Sequence, residues 1–391
     1  MFKLRNYQQA GVDKGIEFLT TGNKKDIPII VAPTAAGKSI YIANMAKTLQ
    51  AGVLVLQPTK ELLEQNYAKF EAYGGQAGIY SASMNSKEIG HVTFATIGSI
   101  KKNPEMFSHV RHIIIDECHL VPPKDESMFM SFISQLKDVR VVGLTATAFR
   151  LKSYHDPFSG EPFSKINLLP RERPRFFNRF LHVTQIFELY QQGFLSPIKY
   201  VKLPWDSSLL KVNTTGAEFT TQSMEFAMNE QLIFQGIINV VDQSIDKGRK
   251  HRLVFVQSVS DAEKLAKKCK GSACVSADTP KAERSRIIDE FKAGKIKTVF
   301  NVGVLTVGFD FPELDTIIIA RPTMSLALYM QMIGRGIRVA PGKDHCTVVD
   351  MCGNIDRFGQ IEKIVYRYDE KLGWILHNGE KQLSGVRMDS F

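Results

Sequence analysis

Long apolar runs are missing from this chain of 391 residues. No stretch approaches the ~20 consecutive apolar residues that a membrane-spanning helix requires. A membrane is therefore not expected among its partners. The opening segment Met1-Phe2-Lys3-Leu4-Arg5-Asn6 lacks the apolar core of a signal peptide, so an intracellular, cytoplasmic setting is expected. Cysteine is scarce: Cys118, Cys269, Cys274, Cys346 and Cys352 are all there are. They form no two-pair CxxC pattern. Cys269 and Cys274 come nearest to a metal pair, but no second pair lies close by. A disulfide framework and a zinc module are both disfavoured, and the five read as reduced thiols. The nine histidines show no metal-ligand spacing. Low-complexity tracts and short-period repeats are absent as well, which leaves an ordinary globular chain.

Its 44% hydrophobic content and its length give room for two or three domains, each with its own core. Lysine and arginine outnumber the acids 50 to 40, a formal net charge of +10. That balance favours a polyanionic partner, most simply nucleic acid, although basic proteins without one are common.

The most informative segment is Ala32-Pro33-Thr34-Ala35-Ala36-Gly37-Lys38-Ser39. An apolar run precedes it and a helical pattern follows from Ile40. This is the strand, tight loop and helix start that a phosphate-binding loop needs. Small residues let backbone N–H groups converge on phosphate oxygens, and the helix N-terminus adds partial positive charge. Lys38 can reach the β- and γ-phosphates, and the Ser39 hydroxyl can ligate Mg²⁺. Ala32 and Ala35 stand where glycine is commoner. The alternative is an ordinary strand-to-helix turn.

Two α/β rhythms run through the chain. Strand-like runs at 27–32, 53–57, 92–96, 112–117 and 139–145 alternate with helical patterns, notably 38–50 and 61–73. A second alternation has strands at 252–256, 273–276, 298–302, 316–320 and 347–350, separated by helices at 261–270, 281–293 and 325–334. Continuous apolar strands with helical crossovers imply parallel sheets covered on both faces. The second alternation has no phosphate loop. Between the two, from about Tyr154 to Phe180, Lys165, Arg171, Arg173, Arg175 and Arg179 interleave with Phe158, Phe163, Phe176, Phe177 and Phe180. The segment from Arg357 onward reads as a small hairpin around Gly373.

A second constellation lies at His112-Ile113-Ile114-Ile115-Asp116-Glu117-Cys118-His119, a buried strand running into two acids. Strand ends beside a phosphate loop are where α/β sheets place ligands. Phosphoryl transfer needs a carboxylate near the metal, a role for Asp116, and hydrolysis needs a group that orients water, a role for Glu117.

With these residues in view, the chain resembles the superfamily 2 helicases of DEAD/DEAH type, in the branch with bacterial and phage DNA helicases and the XPB-like repair helicases. Asp116-Glu117-Cys118-His119 resembles the Asp-Glu-x-His box, with Cys118 in place of the common Ala. Thr145-Ala146-Thr147 resembles the Ser/Thr-Ala-Thr motif, which with His119 implies coupling roles. Leu4-Arg5-Asn6-Tyr7-Gln8 resembles the signature that holds the nucleotide, Gln8 reading the adenine edge. Gln57-Pro58-Thr59-Lys60-Glu61-Leu62 and Ala95-Thr96-Ile97 resemble strand-contacting motifs. The run 301–312, containing Gly303-Val304-Leu305-Thr306-Val307-Gly308-Phe309-Asp310, resembles the motif that touches nucleotide and nucleic acid. Gln331-Met332-Ile333-Gly334-Arg335-Gly336-Ile337-Arg338 matches Gln-x-x-Gly-Arg-x-x-Arg in full.

The resemblance implies an ATP-dependent nucleic-acid helicase or translocase of bacterial or phage-like type, using ATP and Mg²⁺. DNA is preferred over RNA, in a monomer with room for protein partners. The expected architecture is α/β: two tandem RecA-like domains, each a mostly parallel sheet covered by helices, with a basic insert between them. The expected division is a first domain over 1–152, a basic aromatic insert or linker over 153–182, a second domain over 183–356 and a hairpin tail over 357–391. Expected catalytic residues are Lys38, Asp116, Glu117, Gln331, Arg335 and Arg338, with Arg338 the arginine finger and Arg335 a second γ-phosphate contact. At i and i+3 the two arginines are expected on one helix face. Nucleotide is expected on Arg5, Gln8, Pro33, Thr34, Ala35, Ala36, Gly37, Lys38, Ser39, Gly308 and Asp310, and Mg²⁺ on Ser39 and Asp116. An active site shared across a cleft would explain one phosphate loop and one arginine motif in separate halves. Expected nucleic-acid contacts are Pro58, Thr59, Lys60, Thr96, Arg150, Ser258, Ser276 and Thr306. Each hydroxyl among them reads equally as a local cap or turn former. In the insert, Arg173 and Arg175 are expected on phosphates and Phe176 or Phe177 on a base at a duplex fork. The equal alternative is a loop whose phenylalanines pack while its arginines stay wet. An RNA remodeller, a non-catalytic clamp and a motor subunit of a larger assembly remain alternatives.

Overall fold

The computed structural model describes residues 4–121, 128–173, 175–305 and 309–388. The chain forms two compact units, one of Met1–Arg150 with Asn167–Gln185, the other of Leu151–Ile166 with Ile186–Phe391.

The first unit is built on a sheet of eight strands. Their spatial order is Arg179–Val183, Pro28–Val31, Arg140–Thr145, Val110–Ile115, Gly52–Gln57, Val92–Thr96, Gly78–Ser81 and Ser86–Lys87. Every pairing is parallel except the last. Pro28–Val31 and Gly52–Gln57 are buried along their whole length, as strands covered on both faces must be. Helices supply the cover. In Lys60–Ala72, Leu62, Leu63 and Phe70 form the buried stripe, and the Thr59 hydroxyl caps the start by accepting the Leu62 N–H at 3.3 Å.

The second unit holds six parallel strands in the order Ile198–Lys202, Cys346–Asp350, Thr316–Ala320, Arg252–Val256, Thr298–Asn301 and Ser272–Val275. Ile233, Ile237 and Val241 of the helix Ile233–Asp246, with Ala262 and Leu265 of Val259–Lys268, pack on Val254, Val256, Phe300 and Ile318. Near the C-terminus Ile364–Asp369 pairs antiparallel with Gly373–Asn378, which pairs antiparallel with Lys381–Gln382 in a three-stranded sheet. Among the described residues no helix is long and apolar enough to cross a membrane.

The basic aromatic stretch divides into two structural parts. Phe149–His155 and Pro162–Leu168 form a two-stranded sheet. With only a six-residue connection this must be a hairpin, since a parallel pair needs a longer crossover. Further on, Arg179–Val183 lies parallel to Pro28–Val31 as the edge strand of the first sheet. Phe176 and Phe177 are buried, contrary to the expectation of a base-stacking role. Phe177 approaches the strand at Gly143 so closely that a Cβ there would lie 2.8 Å from its ring. These phenylalanines are core, while Arg173 and Arg175 remain exposed. Pro174 lies outside the described residues.

Candidate nucleotide site

Three adjacent strands of the first sheet, Pro28–Val31, Arg140–Thr145 and Val110–Ile115, deliver the expected polar residues to one edge. After Val31 the chain turns through Ala32–Gly37 into the helix Lys38–Thr48. Two positions in that turn are left-handed: Gly37 at φ 84° and Ala35 at φ 72°. Ala35 therefore keeps a backbone that glycine adopts freely, at some steric cost. Pro33 and Ala36 are buried, whereas Thr34, Ala35, Gly37, Lys38 and Ser39 are half-exposed. The Ser39 hydroxyl has no hydrogen-bond partner among the described residues.

The helix Asn6–Thr21 braces the turn. The Gln8 side chain donates from Nε2 to the Ala36 carbonyl at 2.9 Å and accepts the Arg5 N–H at 3.0 Å. The Tyr7 hydroxyl donates to the same carbonyl at 3.2 Å. Gln8 is buried, so here its amide fixes the loop; Arg5 is the exposed residue preceding the helix.

Lys38 makes an ion pair with Glu117, and its Nζ lies 3.9 Å from Asp116 Oδ1. Asp116 Oδ1 accepts the Glu117 N–H at 2.8 Å, and Oδ2 accepts from Asn66 Nδ2 at 2.8 Å. His119 Nδ1 lies 2.8 Å from Thr145 Oγ1 and 3.3 Å from Glu117 Oε2. Thr145 Oγ1 also accepts the Thr147 N–H at 3.0 Å. Thus Lys38, Asp116, Glu117, His119, Thr145 and Thr147 form one connected cluster.

Its electrostatics follow from burial and mutual charge. Burial alone would pull the Lys38 amine down, but Glu117 and then Asp116 outweigh it and hold the cation above its ordinary value. Burial pushes the Asp116 carboxyl up, against the pull of Lys38. For Glu117 burial acts upward but is overcome by Lys38 and His119, which hold the carboxyl below the usual range. Glu117 is the stable anion of the pair, and Asp116 the carboxylate whose charge depends on a nearby cation.

Among the strand-contact candidates, Pro58 and Lys60 are half-exposed and Thr59 is exposed. Thr59 serves as the helix cap described above. Lys60 Nζ donates to the Ser83 carbonyl at 2.7 Å, and Thr96 Oγ1 lies 2.9 Å from Ser99 Oγ. Arg150 departs from expectation. It pairs with Glu172 at 2.6 Å and donates to the carbonyls of His119 and Val121, so its guanidinium clamps the loop after the acidic pair and has no free face for a strand.

In the second unit Ser258 caps the helix Val259–Lys268, accepting the Asp261 N–H at 3.1 Å, and Ser276 accepts the Asp278 N–H at 3.2 Å. Both hydroxyls act locally. Thr306 and Gly308 lie outside the described residues. Gln331 is half-exposed on the helix Leu326–Gly334. That helix ends before the arginines, so Arg335 and Arg338 do not share a helix face. The cause is tertiary: Arg338 bridges antiparallel to Leu195, the Ile337 carbonyl accepts the Ser196 N–H at 2.8 Å, and Lys343 holds the Gly336 and Arg338 carbonyls at 2.6 and 2.8 Å. Arg335 is buried and donates to the Phe309 carbonyl at 2.7 Å. Arg338, half-exposed, pairs with Asp310.

Residues 1–150 match the family model described as "Type III restriction enzyme, res subunit", and residues 235–340 match "Helicase conserved C-terminal domain". The chain belongs to the superfamily 2 helicases. A relative from Saccharomyces cerevisiae, named "Putative ATP-dependent helicase IRC3", is 26% identical over 376 residues, covering 90% of this chain and 51% of that protein. The ATP-dependent DNA helicase Hel308 of Pyrococcus horikoshii is 23% identical over 329 residues, 77% of this chain and 44% of its own. The chain thus spans about half the length of such relatives. A DNA-bound structure of the type ISP restriction-modification enzyme LlaBIII shares the fold, with a TM-score of 0.63 and 16% identity over 90% of this chain and 28% of that one.

One member of the cluster around Lys38 escaped the sequence reading. Asn66 occupies the buried stripe of Lys60–Ala72 alongside Leu62, Leu63 and Phe70. A polar residue at core spacing requires a buried partner, and that is the signal by which it could have been found. Its partner is the Asp116 carboxylate.

Proposed function

We propose that this superfamily 2 helicase hydrolyses ATP at the phosphate loop of its first unit and uses the cycle to move along nucleic acid, with DNA the first substrate to test. The observation that carries the reading is the contact of Lys38 with the Asp116–Glu117 pair beside a left-handed, half-exposed turn. A triphosphate bound there would offer Lys38 a second anionic partner. Glu117, held ionised, would then be free to orient water, with His119 and Thr145 passing its position to the strand end that leads into Thr147. The Ser39 hydroxyl and an Asp116 oxygen are hard donors suited to Mg²⁺, which would neutralise phosphate charge. Arg338, whose present partner is Asp310, is proposed to contribute to turnover as the arginine finger, with Arg335 keeping its loop in place.

DNA is favoured because relatives such as the Pyrococcus protein are named as DNA helicases, and the net charge of +10 suits a polyanion. The deciding experiment measures ATP turnover with no nucleic acid, single-stranded DNA, duplex DNA or RNA. It is paired with strand displacement on 3′-tailed, 5′-tailed and forked duplexes. Stimulation by DNA and loss of turnover in Lys38→Ala are expected. Turnover unaffected by Lys38→Ala, or indifferent to every nucleic acid, would sink the reading. Stimulation by RNA alone would make it an RNA remodeller.

A further inference from the structure

Phe158 is 97% exposed, the most exposed large apolar side chain among the described residues. It sits at the tip of the hairpin Phe149–His155/Pro162–Leu168, in a turn that is fixed by hydrogen bonds. Asp156 Oδ1 accepts the N–H groups of Phe158 and Ser159 at 3.0 and 3.1 Å, while Oδ2 accepts from Arg387 Nη1 at 2.7 Å. The Asp156 N–H donates to the Glu161 carbonyl at 2.9 Å, and Gly160, at φ 73°, closes the turn. The hairpin is anchored to the C-terminal segment by bridges Lys165–Arg387 and Ile166–Ser384. A phenyl ring held in water forgoes the stabilisation that burial would give it, and here the backbone around it is tied down instead of folding it away.

Behind the tip lies a cationic aromatic platform. Tyr154 and Phe163 stack with centroids 5.6 Å apart and planes 19° from parallel. Lys152 Nζ lies 5.9 Å from the Tyr154 centroid, Lys165 Nζ 5.5 Å from that of Phe163, and the Arg387 guanidinium 4.2 Å from Phe163. Lys152 and Lys165 have no carboxylate partner among the described residues. The nearby acids are Asp156, committed to the turn and Arg387, and exposed Glu161.

We propose that Phe158 is a base-stacking contact for single-stranded nucleic acid, with Lys152 and Lys165 meeting the adjoining phosphates. The proposal rests on the nucleic-acid reading above. It moves the stacking role from buried Phe176 and Phe177 to the residue of the same stretch that is free to perform it. An aromatic face stacks on any base, and nearby cations follow the backbone. A protein-docking anchor would instead be ringed by contacts that exclude water. Phe158 is flanked by exposed His155, Pro157, Ser159, Gly160 and Glu161, with no apolar surround.

The test uses the full chain with Phe158→Ala, Phe158→Tyr and Phe158→Trp. Affinity for a single-stranded oligonucleotide is expected to fall roughly 5- to 100-fold in Phe158→Ala and to be kept in Phe158→Tyr. The emission that Phe158→Trp adds to that of Trp205 and Trp374 should be quenched by the oligonucleotide. Thermal midpoint and ATP turnover without nucleic acid should not change in any variant. If the wild type is stimulated by DNA but Phe158→Ala binds within twofold of it, or the added emission is not quenched, the stacking assignment falls and the helicase reading stands. Retained affinity would leave the ring to a protein partner. Equal loss of affinity for blunt duplex would also overturn base stacking. If wild-type turnover responds to no nucleic acid, both proposals fall together.

Discussion

At the carboxyl edge of the first sheet, Lys38, Asp116, Glu117, His119 and Thr145 reach one another from three adjacent strand ends. At the same edge of the second sheet, Ser258 and Ser276 fold back onto their own loops, and Asn301 Oδ1 accepts the Leu305 N–H at 3.0 Å. Both sheets are parallel and helix-covered, so architecture does not separate them. The difference lies in what the loops carry. The first edge concentrates opposite charges with little water, where each interaction is strong and each removal leaves a partner exposed to the penalty. The second edge uses neutral polar groups to set loop shape and keeps its guanidiniums on local partners, Asp310 and the Phe309 carbonyl. Chemistry in such a protein is therefore read from loops, and the sheets are the frame that aligns them.

The sharpest break of this contrast is functional. If the two edges serve one reaction, Lys38→Ala and Arg338→Ala should each lower kcat for ATP hydrolysis by roughly 10³-fold. The double variant should lose little more, as residues acting as a unit do. A turnover within a few-fold of wild type for Arg338→Ala would confine the chemistry to the first unit. Next in size, Glu117→Gln should destabilise the first unit by about 1.5–3 kcal/mol at neutral pH, as followed by denaturant titration. Because folding lowers the Glu117 value, this contribution is complete above the unfolded carboxylate value of about 4.3 and is lost as pH falls below it. The raised Lys38 value keeps the cation on the alkaline side, so the Lys38–Glu117 part of the difference should persist from about pH 5 to about pH 10. A difference already absent at neutral pH would contradict the pairing.

The acidic strand end was legible because three isoleucines running into Asp116-Glu117 have one sensible fate, a buried strand delivering charge to a sheet edge. The phosphate loop was legible for a similar reason, since apolar strand, small-residue turn and helix start are all local. What stayed hidden depends on contacts distant in sequence. Arg179–Val183 pairs with Pro28–Val31, and an Arg/Phe alternation reads equally well as an edge strand or a wet loop. The helix carrying Gln331 stops where Ile337 and Arg338 are drawn onto Ser196 and Leu195, which no local pattern announces. Arg150 looked like a strand contact because its partners are backbone carbonyls and a carboxylate 22 residues away, Glu172, and neither leaves a local mark in the sequence.

Asn66 tests whether the first edge is stiffened from behind. Asn66→Ala should cost about 1–2 kcal/mol, and it should lower turnover by loosening Asp116. Its counterpart in the second unit, Ser258→Ala, should cost only the value of a helix cap, about 1 kcal/mol, with unchanged turnover without nucleic acid. Equal effects on turnover would erase the distinction between a charged edge and a shaped one.

The smallest expected effect concerns backbone strain, and it also divides the edges, because Ala35 is the left-handed alanine of the phosphate loop. Replacing it with glycine removes a steric cost of about 1–2 kcal/mol, while the added freedom of the unfolded chain returns about 0.5–1 kcal/mol. The net expectation is a gain of about 0.5 kcal/mol, read as a small rise in denaturation midpoint with unchanged denaturant dependence. Gly37→Ala provides the opposite sign. Its Cβ would enter at φ 84° and meet Gln8 Nε2 at 3.0 Å, so destabilisation is expected together with a loosened Gln8 brace. If Ala35→Gly lowers stability instead, the left-handed geometry at Ala35 is not the one the loop adopts in solution, and the phosphate cradle would have to be formed by the nucleotide itself.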